Sequence, residues 1–125
     1  MALLERVQFT RMVKSALPVG KELANPGGGT TKILSYSESN ICYQRGNSRI
    51  YVGFADLYVA YRSYHGRKVT SSDLKTYAPA VFDSKHNGHS CNATFLFQVL
   101  VAIGIVKRIQ GEGKAGHPFY VDLVE

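Results

Sequence analysis

The last part of the chain contains the stretch that decides the fold, IGIVKRIQGEGKAGHPFYVDL at residues 103–123. Residues 106–110 and 118–124 alternate between apolar and polar side chains, which is typical of β-strands. The residues between them, 111–117, include three glycines and are too few to form anything but a hairpin loop. The sequence therefore predicts a C-terminal β-hairpin with a glycine-rich tip.

Two helices are predicted upstream of this hairpin, in residues 54–82, because apolar residues recur there at spacings of three and four. Gly66 suits the left-handed residue that ends the first of them. Residues 67–69 are short and extended. The next four, 70–73, are Thr-Ser-Ser-Asp, and they offer hydroxyl caps and a first-turn carboxylate to the second helix. Because proline lacks an amide hydrogen, Pro79 predicts that this helix bends or ends at the preceding residue.

A third helix is predicted from about residue 90 to Gly104, after a polar turn at residues 83–89. Ser90 or Asn92 is predicted to cap its N-terminus. Its sequence is strongly apolar, so we expect most of the helix to be buried.

The N-terminal part of the chain is predicted to contain one amphipathic helix in residues 3–17, where apolar residues fall on a single helical face. Pro18 and Gly20 end this helix. Residues 25–29, NPGGG, are predicted to be a flexible connector, since proline and consecutive glycines suit neither a helix nor a central strand. The connector is the clearest internal boundary of the sequence.

Three short β-rich runs follow the connector, at residues 32–37, 41–44 and 49–52, and they predict an antiparallel meander. Alternation predicts that one face of this meander is buried and carries Ile33, Ile41, Tyr43, Ile50 and Val52. The turn between the second and third runs is predicted to lift Arg45 and Arg49 towards solvent.

The order helix, strand, helix, turn, helix, strand, loop, strand, from Phe54 to Val124, resembles the winged-helix family, a helix-turn-helix variant with a β-hairpin wing. The resemblance rests on this order and on the pairing of VTSSDL at residues 69–74 with the stretch at 103–123. We predict an α+β fold, in which an N-terminal helix and a short antiparallel β-meander precede a winged helix of three helices and a β-hairpin wing. The predicted divisions, packed as one compact unit, are 1–26 for the N-terminal helix and linker, 27–53 for the meander and 54–125 for the winged-helix domain.

Length and composition place the chain among globular proteins, with 125 residues, 45% of them hydrophobic and 19% charged. Arg6, Arg11 and Lys14 interrupt the apolar residues of the N-terminus, so we expect neither a signal peptide nor a membrane span, and a cytoplasmic location. In that reducing compartment Cys42 and Cys91 are predicted to be free thiols. The net charge of +6 favours polyanionic partners and also serves solubility.

The glycine-rich loop allows two further interpretations. Residues 111–116, GEGKAG, match the G-x-G-x-x-G pattern of dinucleotide-binding folds, but too few residues follow for the helix and second strand which that fold needs. Glu112 and Lys114, with Asp83 upstream, allow a metal-dependent nuclease, in which acidic groups hold Mg²⁺ and a lysine stabilises developing charge. Catalytic groups of that kind usually lie on rigid strands, so a wing tip is the stronger interpretation of these residues.

Other chemical motifs are weak. His86, His89 and Cys91, with Cys42 far away in sequence, are residue types that bind zinc, but no Cys-x-x-Cys occurs. Residues 27–32, GGGTTK, lack the order of a phosphate-binding loop. No histidine lies near a serine or cysteine in a recognisable nucleophile setting. The sequence therefore predicts no catalytic residue, no metal and no cofactor.

An aromatic and basic cluster lies in and after the first of the three C-terminal helices. Tyr58, Tyr61 and Tyr64 are spaced by three residues and therefore share a helical face. They interleave with three basic residues, Arg62, Arg67 and Lys68. We interpret the tyrosines as core residues whose hydroxyls lie at the rim, in preference to a platform for stacked bases.

The winged-helix resemblance implies a regulator or targeting protein that binds nucleic acid, most simply double-stranded DNA, with the start of the third helix in the major groove and the wing on the flanking backbone. The contacts implied are Lys85, His86, Asn87, His89, Asn92, Thr94, Gln98, Lys107, Arg108, Lys114 and His117. Two basic residues of the meander, Arg45 and Arg49, either extend this nucleic-acid footprint or serve an unrelated partner. The third helix carries no Lys or Arg between residues 92 and 106. This absence leaves open a second interpretation, a protein-interaction or dimerisation module, such as an inhibitor or adaptor, that uses the scaffold without touching DNA.

Overall fold

The computed structural model describes residues 2–124, and within them five α-helices and six β-strands form a mixed α+β fold. In chain order the elements are α1 (Arg6–Ala16), β1 (Glu22–Ala24), β2 (Thr30–Tyr36), β3 (Asn40–Arg45), β4 (Ser48–Gly53), α2 (Phe54–Ser63), β5 (Lys68–Thr70), α3 (Ser71–Tyr77), α4 (Pro79–Phe82), α5 (Cys91–Ala102) and β6 (Tyr120–Asp122). The predicted α+β class is confirmed. None of the helices in residues 2–124 has the length and apolar character needed to cross a bilayer.

The N-terminal strands form one antiparallel sheet in the order β1-β2-β3-β4. The predicted meander is therefore confirmed, with β1 added to it as a strand that the sequence did not predict. The predicted connector at residues 25–29 is instead the loop of the β1–β2 hairpin, closed by a hydrogen bond of 2.9 Å from the Asn25 amide to the Gly29 carbonyl. Gly28 and Gly29 have positive φ angles, so the residues that suggested flexibility are the ones that shape this loop.

The core lies between the inner face of this sheet and the helices. The five sheet residues predicted to be buried are all at most 4% exposed, and they share one hydrophobic cluster with Phe9 of α1, Leu57 of α2 and Phe95 of α5. Tyr58 and Tyr61 are also buried, and their hydroxyls bond the carbonyl and the amide of Leu4. The prediction of core tyrosines with hydroxyls at the rim is confirmed for this pair.

The helix boundaries follow the predicted signals except at α5. Thr70 caps α3, accepting a hydrogen bond from the Asp73 amide while the Asp73 carboxylate accepts one from the Thr70 amide, and α3 ends before Pro79. At α5 the cap residue is Ser90, and its side chain makes no capping hydrogen bond. Ser90 thus occupies the predicted cap position without the predicted side-chain bond, and Asn92 lies inside the helix and does not cap it.

The predicted C-terminal hairpin is only partly regular, and we call residues 107–122 the C-terminal ribbon. Its second strand, β6, pairs antiparallel with β5. An isolated bridge joins Gln110 and Tyr120 across the ribbon, with amide-to-carbonyl distances of 2.8 and 2.9 Å, and another joins Lys114 and His117 in its loop. Residues 106–110 are not a full strand, because the amides of Ile105 and Val106 still bond the Leu100 carbonyl at the end of α5. Because the end of α5 still uses these amides, residues 106–110 pair with the last strand only at Gln110.

Candidate nucleic-acid interface

The polar side chains of α5 point into the protein. Asn92 and Gln98 are 3% and 5% exposed. The Asn92 side chain accepts a hydrogen bond of 2.6 Å from the Tyr43 hydroxyl and donates one of 2.9 Å to the Val81 carbonyl. Gln98 donates to the Ala24 carbonyl at 2.9 Å. These amides were predicted to face a DNA groove, but they join α5 to the sheet and to α4 instead.

Arg45 belongs to the same internal network. Its guanidinium donates three hydrogen bonds of 2.6–2.7 Å, to the Thr31 hydroxyl, the Thr94 hydroxyl and the Gln98 side-chain oxygen. Burial of Tyr43, two positions earlier on β3, raises the pKa of its phenol and keeps it neutral beside this charge. The predictions that Arg45 lies towards solvent and that Thr94 is free to touch a base are therefore wrong. Arg49, on the neighbouring strand, is exposed as predicted.

The polar turn before α5 is exposed, as its composition suggests. Lys85, His86, Asn87 and His89 all lie at the surface. Backbone hydrogen bonds hold the turn in place, from the Gly88 amide to the Asp83 carbonyl at 2.9 Å and from His89 to Val81 at 3.0 Å. A Cβ at Gly88 would lie 2.7 Å from the Pro79 carbonyl oxygen, so only glycine fits there. The turn thus presents four polar side chains on a fixed backbone.

Lys107 and Arg108 lie at the start of the C-terminal ribbon and are exposed. Both line a groove of about 450 Å³ between the β1–β2 loop and the end of α5. The apolar residues that line this groove are Leu23, Ala24, Pro26, Val101, Ala102 and Ile109. The lining of this groove therefore combines an apolar surface with two positively charged side chains.

Lys114 and His117 lie in the loop of the ribbon, bridged to each other through their backbones. His117 also lines a depression of about 380 Å³ together with Lys68 of β5. The Lys68 ammonium lies 4.1 Å from the centroid of the Tyr120 ring, which orients it beside the ribbon. The structure thus adds Lys68 to the residues predicted from the ribbon, because β5 is the strand that pairs with β6.

Few Lys and Arg side chains in the described residues lie close to a carboxylate. Among residues 2–124, Lys114 and Glu112 are the only Lys or Arg side chain and carboxylate within 4.0 Å of each other, and that pair is 76% and 62% exposed. Apart from Arg45, every Lys and Arg is exposed. Ion pairs of this exposed kind contribute little, so the cations remain available to an anionic partner.

The ribbon glycines have a structural explanation. Gly111, Gly113 and Gly116 all have positive φ. A Cβ at Gly111 would lie 2.1 Å from the Pro118 carbonyl oxygen, and one at Gly113 would lie 2.4 Å from the Phe119 ring. The pattern that resembles a dinucleotide fingerprint therefore comes from a tight loop that folds over Phe119.

The described part of the chain shows no cluster of three or more His, Cys, Asp or Glu side chains arranged to hold a metal. Both cysteines are free, as predicted, and Cys42 is buried in the sheet. Asp83, the acid predicted to complete a nuclease site, caps the turn by accepting a hydrogen bond from the Lys85 amide. Its carboxylate also lies 3.8 Å from the His86 ring, so both of these contacts are with residues of the same turn.

No family model, curated protein or solved structure matches this chain. The winged-helix resemblance therefore stays a prediction based on the order of the elements.

The sequence predicts Lys68 as a member of the aromatic and basic cluster, and the pairing of β5 with β6 places it beside the ribbon. Sequence reasoning missed Tyr51, which lies between the buried residues Ile50 and Val52 and is 63% exposed, as alternation along β4 requires. The period-two pattern of β4 was the signal that could have found it.

Proposed function

We propose that this protein binds double-stranded nucleic acid, most simply DNA, through phosphate contacts made by the C-terminal ribbon. The supporting observation is a set of exposed cations on and beside the ribbon, Lys68, Lys107, Arg108 and Lys114. Among the carboxylates of residues 2–124, only that of Glu112 lies within 4.0 Å of one of them, Lys114. Lysine and arginine side chains of this kind neutralise phosphates and release condensed counterions, which drives sequence-independent association.

The polar turn before α5 provides the remaining contacts in this proposal. Lys85, His86, Asn87 and His89 are exposed beside the start of the helix, whereas the amides of α5 itself are occupied inside the protein. Direct reading of base edges needs free donors and acceptors. With only the turn available for this, we expect affinity to depend strongly on charge and weakly on base sequence.

The test is the double substitution Arg108→Ala with Lys114→Ala, assayed by fluorescence anisotropy on a random duplex at several salt concentrations. Each lost phosphate contact should weaken binding about eight-fold at 0.1 M salt and reduce the slope of log affinity against log salt by about one. The matched control is Arg62→Ala with Lys75→Ala, which removes the same charge from exposed positions on α2 and α3.

Equal losses in the two double variants would show that net charge alone drives binding and would overturn the role of the ribbon. Affinity for duplex that does not change with salt would overturn the proposal altogether, because phosphate contacts require that dependence. Thermal unfolding of all variants separates lost contacts from lost folding.

A second candidate function is the binding of a protein segment in the groove beside the ribbon. The groove, about 450 Å³ in volume, is lined mainly by apolar side chains, with Lys107 and Arg108 among its lining residues. Apolar concavities with a few polar groups are typical of ligand and peptide sites. Salt-independent association with a protein partner, together with no duplex binding, would favour this function.

A further inference from the structure

The four-stranded sheet has a second face, opposite to the core. Cross-strand partners point to the same side of a sheet, so the register assigns Lys32, Gln44 and Arg49 to one row and Ser35, Cys42 and Tyr51 to the next. We call these six residues the outer sheet face. Four of them, Lys32, Ser35, Arg49 and Tyr51, are exposed.

A large aromatic ring is prominent on this face. Tyr51 is 63% exposed, and with Asn40 it lines two separate depressions of about 230 and 290 Å³. The smaller depression includes Cys42 and Ser35, and the larger includes Asn87 and His89 of the polar turn. Tyr51 therefore borders both depressions and keeps most of its surface accessible to a partner.

The charge of the outer sheet face is positive. Arg49 lies two residues before Tyr51 on the same strand, so their Cα atoms are about 7 Å apart. Lys32 lies two strands away from Arg49 in the same row, about 10 Å distant. Glu22 of β1 ends this row, but its carboxylate is not within 4.0 Å of a Lys or Arg in the residues that the structure describes.

We propose that the outer sheet face binds single-stranded nucleic acid, with a base stacked on Tyr51 and the backbone phosphates on Arg49 and Lys32. An exposed aromatic ring flanked by cations is the combination that single strands require, because their bases are free to stack. Paired bases of a duplex are already stacked on their neighbours and do not reach such a ring. This site lies on different elements from the ribbon, so it goes beyond the duplex binding proposed above.

The experiment measures the anisotropy of fluorescein-labelled oligo-dT and oligo-U of about 12 nucleotides, a length that suits a small binding surface. Tyr51→Ala should weaken binding about 5- to 150-fold, the usual loss for one stacked base, whereas Tyr51→Phe should keep the affinity because the ring remains. Tyr77→Ala is the matched control, since Tyr77 is 41% exposed on α3, away from the sheet. Comparison of the two oligonucleotides shows whether the site prefers single-stranded DNA or RNA.

Two results would overturn this proposal. One is an affinity for either oligonucleotide that Tyr51→Ala leaves unchanged in a variant shown to be folded by urea unfolding. The other is no binding of either oligonucleotide by the parent protein at low salt. The ribbon double variant separates the two surfaces, since it should lose duplex affinity and keep single-strand affinity, while Tyr51→Ala should do the reverse.

Discussion

At the scale of single residues, Arg45 shows how one side chain changes its role with its surroundings. Replacing it with alanine removes three hydrogen bonds of 2.6–2.7 Å and leaves the oxygens of Thr31, Thr94 and Gln98 short of donors. We expect Arg45→Ala to lower the free energy of unfolding by about 2 kcal/mol, since hydrogen bonds to a charged group are stronger than average. Urea unfolding followed by circular dichroism measures this change.

Arg49→Ala is the matched control, because Arg49 lies across the same β-turn and is exposed. A surface substitution of this kind should change the free energy of unfolding by less than about 0.5 kcal/mol. Arg45→Lys should recover only part of the loss, since an ammonium cannot reproduce the planar fork of a guanidinium. If Arg45→Ala and Arg49→Ala unfold at the same urea concentration, the network does not stabilise the fold.

At the scale of elements, the C-terminal ribbon depends on Gly111. The residue has a φ of 93°, and an added Cβ would lie 2.1 Å from the Pro118 carbonyl oxygen on the opposite side of the ribbon. We expect Gly111→Ala to open the Gln110–Tyr120 bridge, because the backbone has to move to relieve the clash. Faster hydrogen exchange of the Gln110 and Tyr120 amides is the direct measurement.

Gly116 provides the comparison, since its φ is 79° but an added Cβ would meet nothing within 4 Å. Gly116→Ala should lower the free energy of unfolding by about 1 kcal/mol through the left-handed conformation alone. Gly111→Ala should lower it by roughly 1–3 kcal/mol more, the usual effect of overpacking. Equal effects of the two substitutions would show that the close approach to Pro118 is relieved at no cost.

At the scale of the whole molecule, tyrosine hydroxyls connect the sheet to the helices. Tyr36 donates a hydrogen bond of 2.5 Å to the Leu17 carbonyl at the end of α1, and Tyr43 donates to Asn92 of α5. Burial raises the pKa of Tyr36 from 10.0 to about 12 and raises that of Tyr43 as well. A raised pKa in the folded state means that the native protein holds these protons when the unfolded chain has lost them.

The raised pKa of Tyr36 determines how the stability of the protein changes with pH. The contribution of Tyr36 to stability should be fully present below pH 10 and should be lost as pH rises from 10 towards 12. Tyr36→Phe removes the ionisation and keeps the ring that stacks on Phe54. We expect the parent to be the more stable protein at pH 8 and the difference to shrink by pH 12, as measured by thermal unfolding at each pH. A difference that does not change with pH would contradict this assignment.

The sequence by itself determined the order of the elements other than β1 and the first strand of the hairpin, together with the buried face of the sheet and the limits of α3. These features depend on residues a few positions apart, such as the Thr70 and Asp73 pair or the alternation from Ile50 to Val52. The same alternation already assigns Arg45 to the face of Tyr43, so its burial was within reach of the sequence pattern. The positive charge of an arginine next to a turn predicts an exposed side chain, whereas the two-residue alternation along β3 predicts an inward one, and the structure agrees with the alternation.

Only the tertiary structure decided which polar groups are free to meet a partner. Gln98 bonds the Ala24 carbonyl across 74 positions, and Tyr43 bonds Asn92 across 49. A local sequence pattern cannot predict such a distant partner, because a side-chain amide on a helix has the same sequence spacing whether it is buried or exposed. The two surfaces that we propose for binding, the ribbon and the outer sheet face, present side chains that the fold leaves exposed.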